Sequence, residues 1–279
     1  MYKKILAAVN EHLNSEVTAR YALNLAKELH AKIYICFVAE ECMSRHNCQA
    51  AEDAMERLFN EARGLDIQAE SITAMGNPVT EIGKIVHQEN IGIVFASTRR
   101  EDIEKRFYTG TVARSLSLKL PCSVALVRIA HLGRMRPKRI LVPVKARINH
   151  VLERATFVTS MAKAFEAKVY VFHTPKPIEK IFQGEIHLTP PEWEERTSHD
   201  ISHFMQYLKQ QNIEHEGRHL PGKIAKNITI EAFAKRHDLI IMGASERSLW
   251  ASLLKGNPVE QVLRDTPCDL IILKPRHED

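Results

Sequence analysis

The sequence contains no apolar run approaching the roughly 18 residues of a membrane span, and its first apolar stretch, Ile5 to Val9, is broken at once by Asn10. It also lacks an excess of one charge. Lys and Arg number 39 against 34 Asp and Glu, a formal net charge of +5, and the signs are interspersed, which excludes the basic stripe of a dedicated nucleic-acid binder. Cysteine is sparse and odd in number: Cys36, Cys42, Cys48, Cys122 and Cys268 do not make a disulfide framework, and reduced thiols are expected. No secretory signal precedes the first strand, so the expectation is a cytoplasmic chain with no membrane and no nucleic-acid partner. The strongest catalytic motifs are missing too. There is no G-x-x-x-x-G-K-[ST], no G-x-S-x-G elbow and no G-x-G-x-x-G opening the first helix.

What remains is a composition of 44% hydrophobic and 26% charged residues over 279 positions. That is ordinary for folded proteins and long enough for two domains of usual size. The chain repeats itself. Lys4-Ile5-Leu6-Ala7-Ala8-Val9-Asn10 returns as Arg139-Ile140-Leu141-Val142-Pro143-Val144-Lys145, and Ala31-Lys32-Ile33-Tyr34-Ile35 as Ala167-Lys168-Val169-Tyr170-Val171. Gly76 with Ile82 returns as Gly222 with Ile228, and Pro121-Cys122 as Pro267-Cys268. The second copy is longer mainly between Lys176 and Asp200, a segment rich in Pro, Glu and His that can protrude without disturbing a core.

Each copy alternates short apolar runs with helical periodicity. The runs Ile5 to Val9, Ile33 to Val38, Gln68 to Thr73, Ile91 to Ala96 and Ser123 to Val127 predict five strands in the first copy. Arg139 to Val144, Lys168 to Phe172, Glu214 to His219, Leu239 to Met242 and Leu270 to Leu273 predict five in the second. Runs apolar throughout suit parallel strands covered on both faces. Spacings such as Ala19, Leu23, Ala26 and Leu29, or Phe157, Met161 and Phe165, supply the covering helices. The pattern is doubly wound α/β, with ligands expected beyond the carboxyl ends of the strands. Domains at 1–130 and 138–279 are expected, joined by a linker at 131–137 that contains Gly133 and Pro137.

Leu239-Ile240-Ile241-Met242 followed by Gly243-Ala244-Ser245-Glu246, then Gly256-Asn257-Pro258-Val259 and Pro267-Cys268-Asp269-Leu270, resembles the universal stress protein family. The first copy resembles it through Gly76-Asn77-Pro78, Gly110-Thr111-Val112-Ala113 and Pro121-Cys122-Ser123-Val124. The resemblance covers nearly the whole chain as a tandem pair. It implies two Rossmann-like domains of the adenine nucleotide alpha hydrolase type, each with a five-stranded parallel sheet, related by a pseudo two-fold axis. It further implies last strands apolar enough to pair, as a homodimer or an intramolecular pseudo-dimer, and a role in stress response. Two separable sheets joined by few residues are expected.

The family's nucleotide motif implies ATP or another adenine nucleotide as cofactor, with Mg2+ only alongside it. Glycines let backbone approach phosphate, and Gly-Ser/Thr at a helix start offers N–H groups and a hydroxyl. In the first copy the residues carried over are Asn10, Val38, Ala96, Arg99, Gly110, Thr111 and Val112. Asn10 stands where ATP-binding members carry Asp; it can hydrogen-bond but accepts no proton at neutral pH. Arg99 and Arg100 can pair with phosphates. The second copy offers Gly243, Gly256 and Asn257 but puts Lys145 for the Asp, Glu246 at the second glycine and the N–H-free Pro258 after Asn257, which makes it the weaker site.

Three functional readings stay open: a stress protein holding a nucleotide in its first half, a nucleotide-independent interaction module recruiting a partner through 176–200, and a slow ATP hydrolase. No catalytic residue is assigned. Loops found in enzymes of similar fold, Ser-Gly-Gly-x-Asp-Ser and His-Ile-Gly-His, are missing, and Glu101, Asp102 and Glu104 beside arginines read as solvated ion pairs. Cys42, His46 and Cys48 lack the C-x-x-C pairing of structural zinc. His187, Trp193, His199 and His203 lack a His-Glu-x-x-His arrangement and read as a polar helix face. His173 reads as a packed strand-end histidine, and Cys122 and Cys268 as buried core residues.

Overall fold

A computed structural model gives the fold and describes residues 1–98, 112–132, 136–174, 198–219, 224–244 and 258–276. The first half runs β1 (Lys4–Val9), α1 (Leu13–Leu29), β2 (Lys32–Ala39), α2 (Arg45–Gly64), β3 (Ala69–Met75), α3 (Pro78–Glu89), β4 (Ile93–Ser97), α4 (Val112–Lys119) and β5 (Ser123–Arg128). The second runs β6 (Arg139–Val144), α5 (Val151–Phe165), β7 (Lys168–His173), α6 (His199–Gln210), β8 (His215–His219), α7 (Ile224–Ala234), β9 (Leu239–Gly243), α8 (Pro258–Asp265) and β10 (Asp269–Lys274). Every strand expected from an apolar run is present, shifted by a residue or two at its ends.

Helix boundaries follow local chemistry. Ser44 caps α2 by accepting from the Asn47 amide at 3.2 Å. Asn77 caps α3 by accepting from Val79 and Thr80 at 3.0 and 3.2 Å, with Pro78 in the first turn where no N–H is needed. Before that cap Gly76 takes φ 134°, a conformation closed to L residues, while its N–H bonds Ala39. Helix ends use left-handed residues other than glycine: His30 after α1, Asn90 after α3 and Glu166 after α5.

Each half supplies five parallel strands, in the order β3-β2-β1-β4-β5 and its counterpart β8-β7-β6-β9-β10. The halves are not separable sheets, which corrects one expectation. β5 and β10 pair antiparallel and make one ten-stranded sheet. The pairing is symmetric: Leu126 faces Ile272, its own counterpart in the repeat, so the junction is centred on a local two-fold relation. Pairing satisfies the backbone edges that two apolar last strands would otherwise leave open.

Two helical layers cover the sheet. α1, α2, α5 and α6 bury one set of side chains, while α3, α4, α7 and α8 bury the other. α1 packs on α5 across the junction. There Phe157 of the second half is fully buried, with Tyr2 edge-on and Phe95 tilted, both centroids at 6.3 Å.

Polar groups are buried at the same seam. Tyr2 and Ser123 hydroxyls both donate to the buried Glu153. Tyr21 donates to Asp269 at 2.7 Å, and Asp269 also accepts from the Ala130 amide at 2.8 Å. Burial, opposed by these donors, raises the Asp269 pKa above the usual aspartate value. The Lys274 ammonium is buried and donates to the Leu120 carbonyl at 3.0 Å.

Strand order reverses direction between β1 and β4 and again between β6 and β9. These are the topological switch points of doubly wound sheets, where crossing helices leave a crevice at the carboxyl ends. The fold therefore offers two such edges, one per half.

Candidate functional site

At the first switch point the chain leaves β1 and turns sharply. The Asn10 side-chain oxygen accepts from the His12 amide at 3.0 Å, and the Asn10 amide donates to the Ser15 hydroxyl at 3.0 Å. The buried Ser15 hydroxyl lies 2.8 Å from the His12 carbonyl, locking the turn into α1. This turn borders a cleft of about 580 Å³ between the ends of β1, β2 and β4 and the start of α4. Cys36, Val38, Ile82 and Ala96 make an apolar floor, Asn10 and Ser97 stand at the strand ends, and Val112 begins the far wall.

Asn10, Val38, Ala96 and Val112 thus meet around one cleft. Arg99, Gly110 and Thr111, expected to contact phosphate, lie outside the described residues, as do Arg100 and the acids at 101, 102 and 104. The charged side chains among the described lining are Glu11 and Glu40. Glu11 has one oxygen 3.3 Å from His12 Nε2, and its other oxygen is buried without a hydrogen-bond partner among the described residues. The described part of the cleft is apolar and mildly acidic, suited to a base and ribose hydroxyls and not to phosphate.

Sequence reading missed Cys36, Ser97, Glu11 and Glu40. Ser97 had a legible signal. Ser97 pairs with Val127 and Gly243 with Leu273, which are the same step of the repeat, so Ser97 is the counterpart of Gly243 and Ala96 lies one residue earlier.

The second edge differs. Gly243 ends β9, and the space where its Cβ would point is filled by the Arg154 guanidinium, whose Nη1 and Cζ would overlap any side chain there. Arg154 comes from the first turn of α5, and its Nη2 reaches the Ala244 carbonyl at 3.4 Å. Burial lowers its pKa to about 10, and Glu153 partly opposes the shift. Gly243 therefore makes room for a side chain of its own chain. Gly256 and Asn257 lie outside the described residues.

The remaining candidates resolve as follows. His173 is buried with Nδ1 3.2 Å from the Val144 carbonyl, a strand-end packing role. All five cysteines are free; burial pushes Cys36 and Cys268 up to about 12 and Cys122 to about 11, so these three are poor nucleophiles at neutral pH. His199 and His203 are exposed with ring centroids 6.3 Å apart, while His187 and Trp193 lie outside the described residues. Among the described residues no group of three His, Cys, Asp or Glu side chains is arranged to hold a metal ion. Among them, too, no helix is long and apolar enough to cross a membrane.

The profile of the universal stress protein family matches residues 1–128 and again 137–274. The chain belongs to that family, in a tandem two-domain form. A universal stress protein from Archaeoglobus fulgidus DSM 4304 is similar over 99% of this chain and 97% of that one, with TM-score 0.66 and 18% identity. A functionally unknown protein from Pseudomonas aeruginosa PAO1 is similar over 99% and 93%, with TM-score 0.67 and 16% identity. The cytoplasmic domain of a prokaryotic cation chloride cotransporter is similar over 100% and 98%, with TM-score 0.59 and 13% identity. At these identities the likeness establishes the fold alone. No curated protein matches the chain.

Proposed function

We propose that this protein is a cytoplasmic stress-response factor that holds an adenine nucleotide in its first half and turns it over slowly or not at all. The observation that carries the reading is the 580 Å³ cleft at the first switch point, which gathers Asn10, Val38, Ala96 and Val112 at the carboxyl ends of parallel strands. Its apolar floor suits adenine. The start of α4 follows directly on Gly110-Thr111, whose amides and hydroxyl would take the phosphates, with Arg99 as a charge partner and Mg2+ only as the nucleotide's counter-ion. Asn10 cannot act as a general base, which argues for binding without efficient hydrolysis. The proposed domains are 1–130 and 138–279 with a linker at 131–137, and self-association as a homodimer would add to the pairing already made within the chain.

One observation favours the nucleotide-independent reading. The Asn10 side-chain oxygen is already engaged by the His12 amide, so a ligand would meet only its amide nitrogen. In that reading the cleft supports the fold and a protein partner docks through 176–200. Mass spectrometry of small molecules released from protein purified without added nucleotide decides between them. Retained ATP, ADP or AMP is the expected result; an empty protein that also shows no calorimetric nucleotide binding discards the nucleotide site.

A further inference from the structure

Ser123 and Asp269 each follow the repeated Pro-Cys pair, and the antiparallel pairing of β5 with β10 puts them at opposite ends of the seam. Each end buries one carboxylate from the second half, and the two are satisfied differently. Asp269 is filled on both oxygens: Oδ2 accepts from the Tyr21 hydroxyl at 2.7 Å, and Oδ1 from the Ala130 and His131 amides at 2.8 and 3.4 Å. At the other end the Tyr2 and Ser123 hydroxyls both donate to the same oxygen, Oε1 of Glu153. Among the described residues no group donates to its Oε2, although Glu153 is only 5% exposed. A buried carboxylate oxygen without a donor is costly.

Glu153 borders a cavity of about 540 Å³ at the amino ends of β1 and β4, the edge opposite to the first cleft. Lys274 pairs with Val124, so the chain leaving β10 carries Arg276 past the start of β5, and Arg276 lines the cavity together with Lys3. Burial, then the Glu153 charge, raises the Tyr2 pKa well above the usual tyrosine value, and the Arg276 charge opposes the shift, which places that guanidinium within electrostatic reach of the Tyr2–Glu153 pair. Lys3 and Arg276 are exposed, whereas Val86 and Ile91 are buried and give an apolar wall. The cavity thus sets a hydrogen-bond acceptor deep inside against two cations at its mouth. Lys3, Val86 and Ile91 come from the first half and Glu153 and Arg276 from the second, so neither half alone contains it.

We propose that this seam cavity binds a small zwitterion, an α-amino acid with an apolar side chain. The ligand ammonium donates to Glu153 Oε2, its carboxylate meets Arg276 and Lys3, and its side chain lies on Val86 and Ile91. A plain cation would be repelled at the mouth and a plain anion would meet the buried carboxylate, so both charges are needed on one molecule. The proposal stands whether or not the first half holds a nucleotide, because it uses no residue of that cleft.

L-Leucine titrated calorimetrically into the full chain at low salt tests it, beside isoamylamine, which lacks the carboxylate, and 4-methylpentanoate, which lacks the ammonium. Wild type should bind leucine, and each truncated probe should bind at least about tenfold more weakly. Glu153→Gln keeps an oxygen for the Tyr2 and Ser123 hydroxyls but sets an amide nitrogen against the ligand ammonium, and should lose at least about tenfold for leucine. Arg276→Gln should lose about threefold for leucine, with a shallower salt dependence, and nothing for isoamylamine. Leucine should raise the thermal midpoint of wild type but not of Glu153→Gln. A merely structural role for Glu153 would give a lower midpoint with leucine affinity intact, and overturns the proposal. Should Glu153→Gln not fold, the truncated probes on wild type and the Arg276→Gln and Lys3→Gln variants carry the test. Absence of leucine binding to wild type at millimolar concentration, equal affinity in Glu153→Gln, or isoamylamine binding as tightly as leucine overturns it likewise.

Discussion

Among the described residues, the first carboxyl edge is an open cleft with an apolar floor and acidic rim, whereas at the second the side-chain space of Gly243 is filled by Arg154 of its own chain and Lys145 follows β6. Among the described residues one repeated plan yields two edges of different chemistry, which differ at Asn10 against Lys145, Ser97 against Gly243 and, at the same distance from the ends of α1 and α5, Thr18 against Arg154. The opposite, amino edges diverge in the same manner. Ile91 and His237 both follow a left-handed residue and donate their amides back to the preceding helix, at 3.1 and 2.9 Å. Ile91 is plain core, whereas His237 is buried against Tyr170, with Glu231, Arg139 and Arg218 around it. What is retained between the halves is strand order and the apolar interior; what drifts is the chemistry at the strand ends, where a side chain changes function without changing packing.

The sharpest way to break this comparison is to ask whether the halves are energetically separate at all. Phe157 is a second-half residue buried against Tyr2 and Phe95 of the first, so Phe157→Ala should cost about 3–5 kcal/mol, read by urea unfolding, and the loss should appear in one cooperative transition. Two resolved transitions, with one half unaffected, would show that the continuous sheet does not couple them. A smaller effect is expected from pH. Burial first, then Arg139 and Arg218, lowers the His237 pKa to about 4 from an ordinary 6.5. Between those values the unfolded chain binds a proton that the folded chain refuses, so stability present above pH 6.5 is lost as pH falls through the window, by on the order of 2 kcal/mol. His237→Leu, which makes the second half like the first at this edge, should flatten that slope between pH 7 and pH 4.5; an unaltered slope would place the acid sensitivity elsewhere.

The nucleotide comparison is sharpened by paired glycine variants. Gly110→Val should weaken ATP binding more than tenfold, roughly 1.4 kcal/mol or more, and Gly256→Val should leave it unchanged, both by calorimetry. Arg99→Ala should weaken it less and in a salt-dependent way. Equal losses for the two glycine variants would mean that both halves bind. The smallest effect concerns backbone: His30 ends α1 with φ 49°, so His30→Gly should stabilise by about 0.5–1 kcal/mol in thermal melts, and Glu166→Gly should do the same at the matching end of α5. A stabilisation in one half only would show that the two helix ends carry different strain.

Much of this architecture was legible in the residues. The strand from Arg139 to Val144 falls where its apolar run does, and Asn77-Pro78 announces the start of α3 by its cap and its missing N–H. Asn10, Val38, Ala96 and Val112 were singled out by the family resemblance, and parallel α/β topology is what brings the ends of β1, β2 and β4 together with the start of α4 around one cleft. Arg154 could not be assigned. In the sequence it is one more charged residue near the start of a helix, and only the approach of α5 to the end of β9 shows that Gly243 is there to receive it. Glu153 and Asp269 were equally opaque, since each looks like an ordinary exposed acid and each is buried by the other half of the chain.

By itself the sequence determined the duplication, the order of strands and helices and the chirality of each half, because these follow from local apolar periodicity, capping and the handedness of parallel crossovers. The tertiary structure alone decided that β5 and β10 join the halves into one sheet, and which strand-end positions face each other. Register and burial across the seam depend on pairs of residues far apart in the chain, and no local pattern encodes which of two similar apolar strands will find the other.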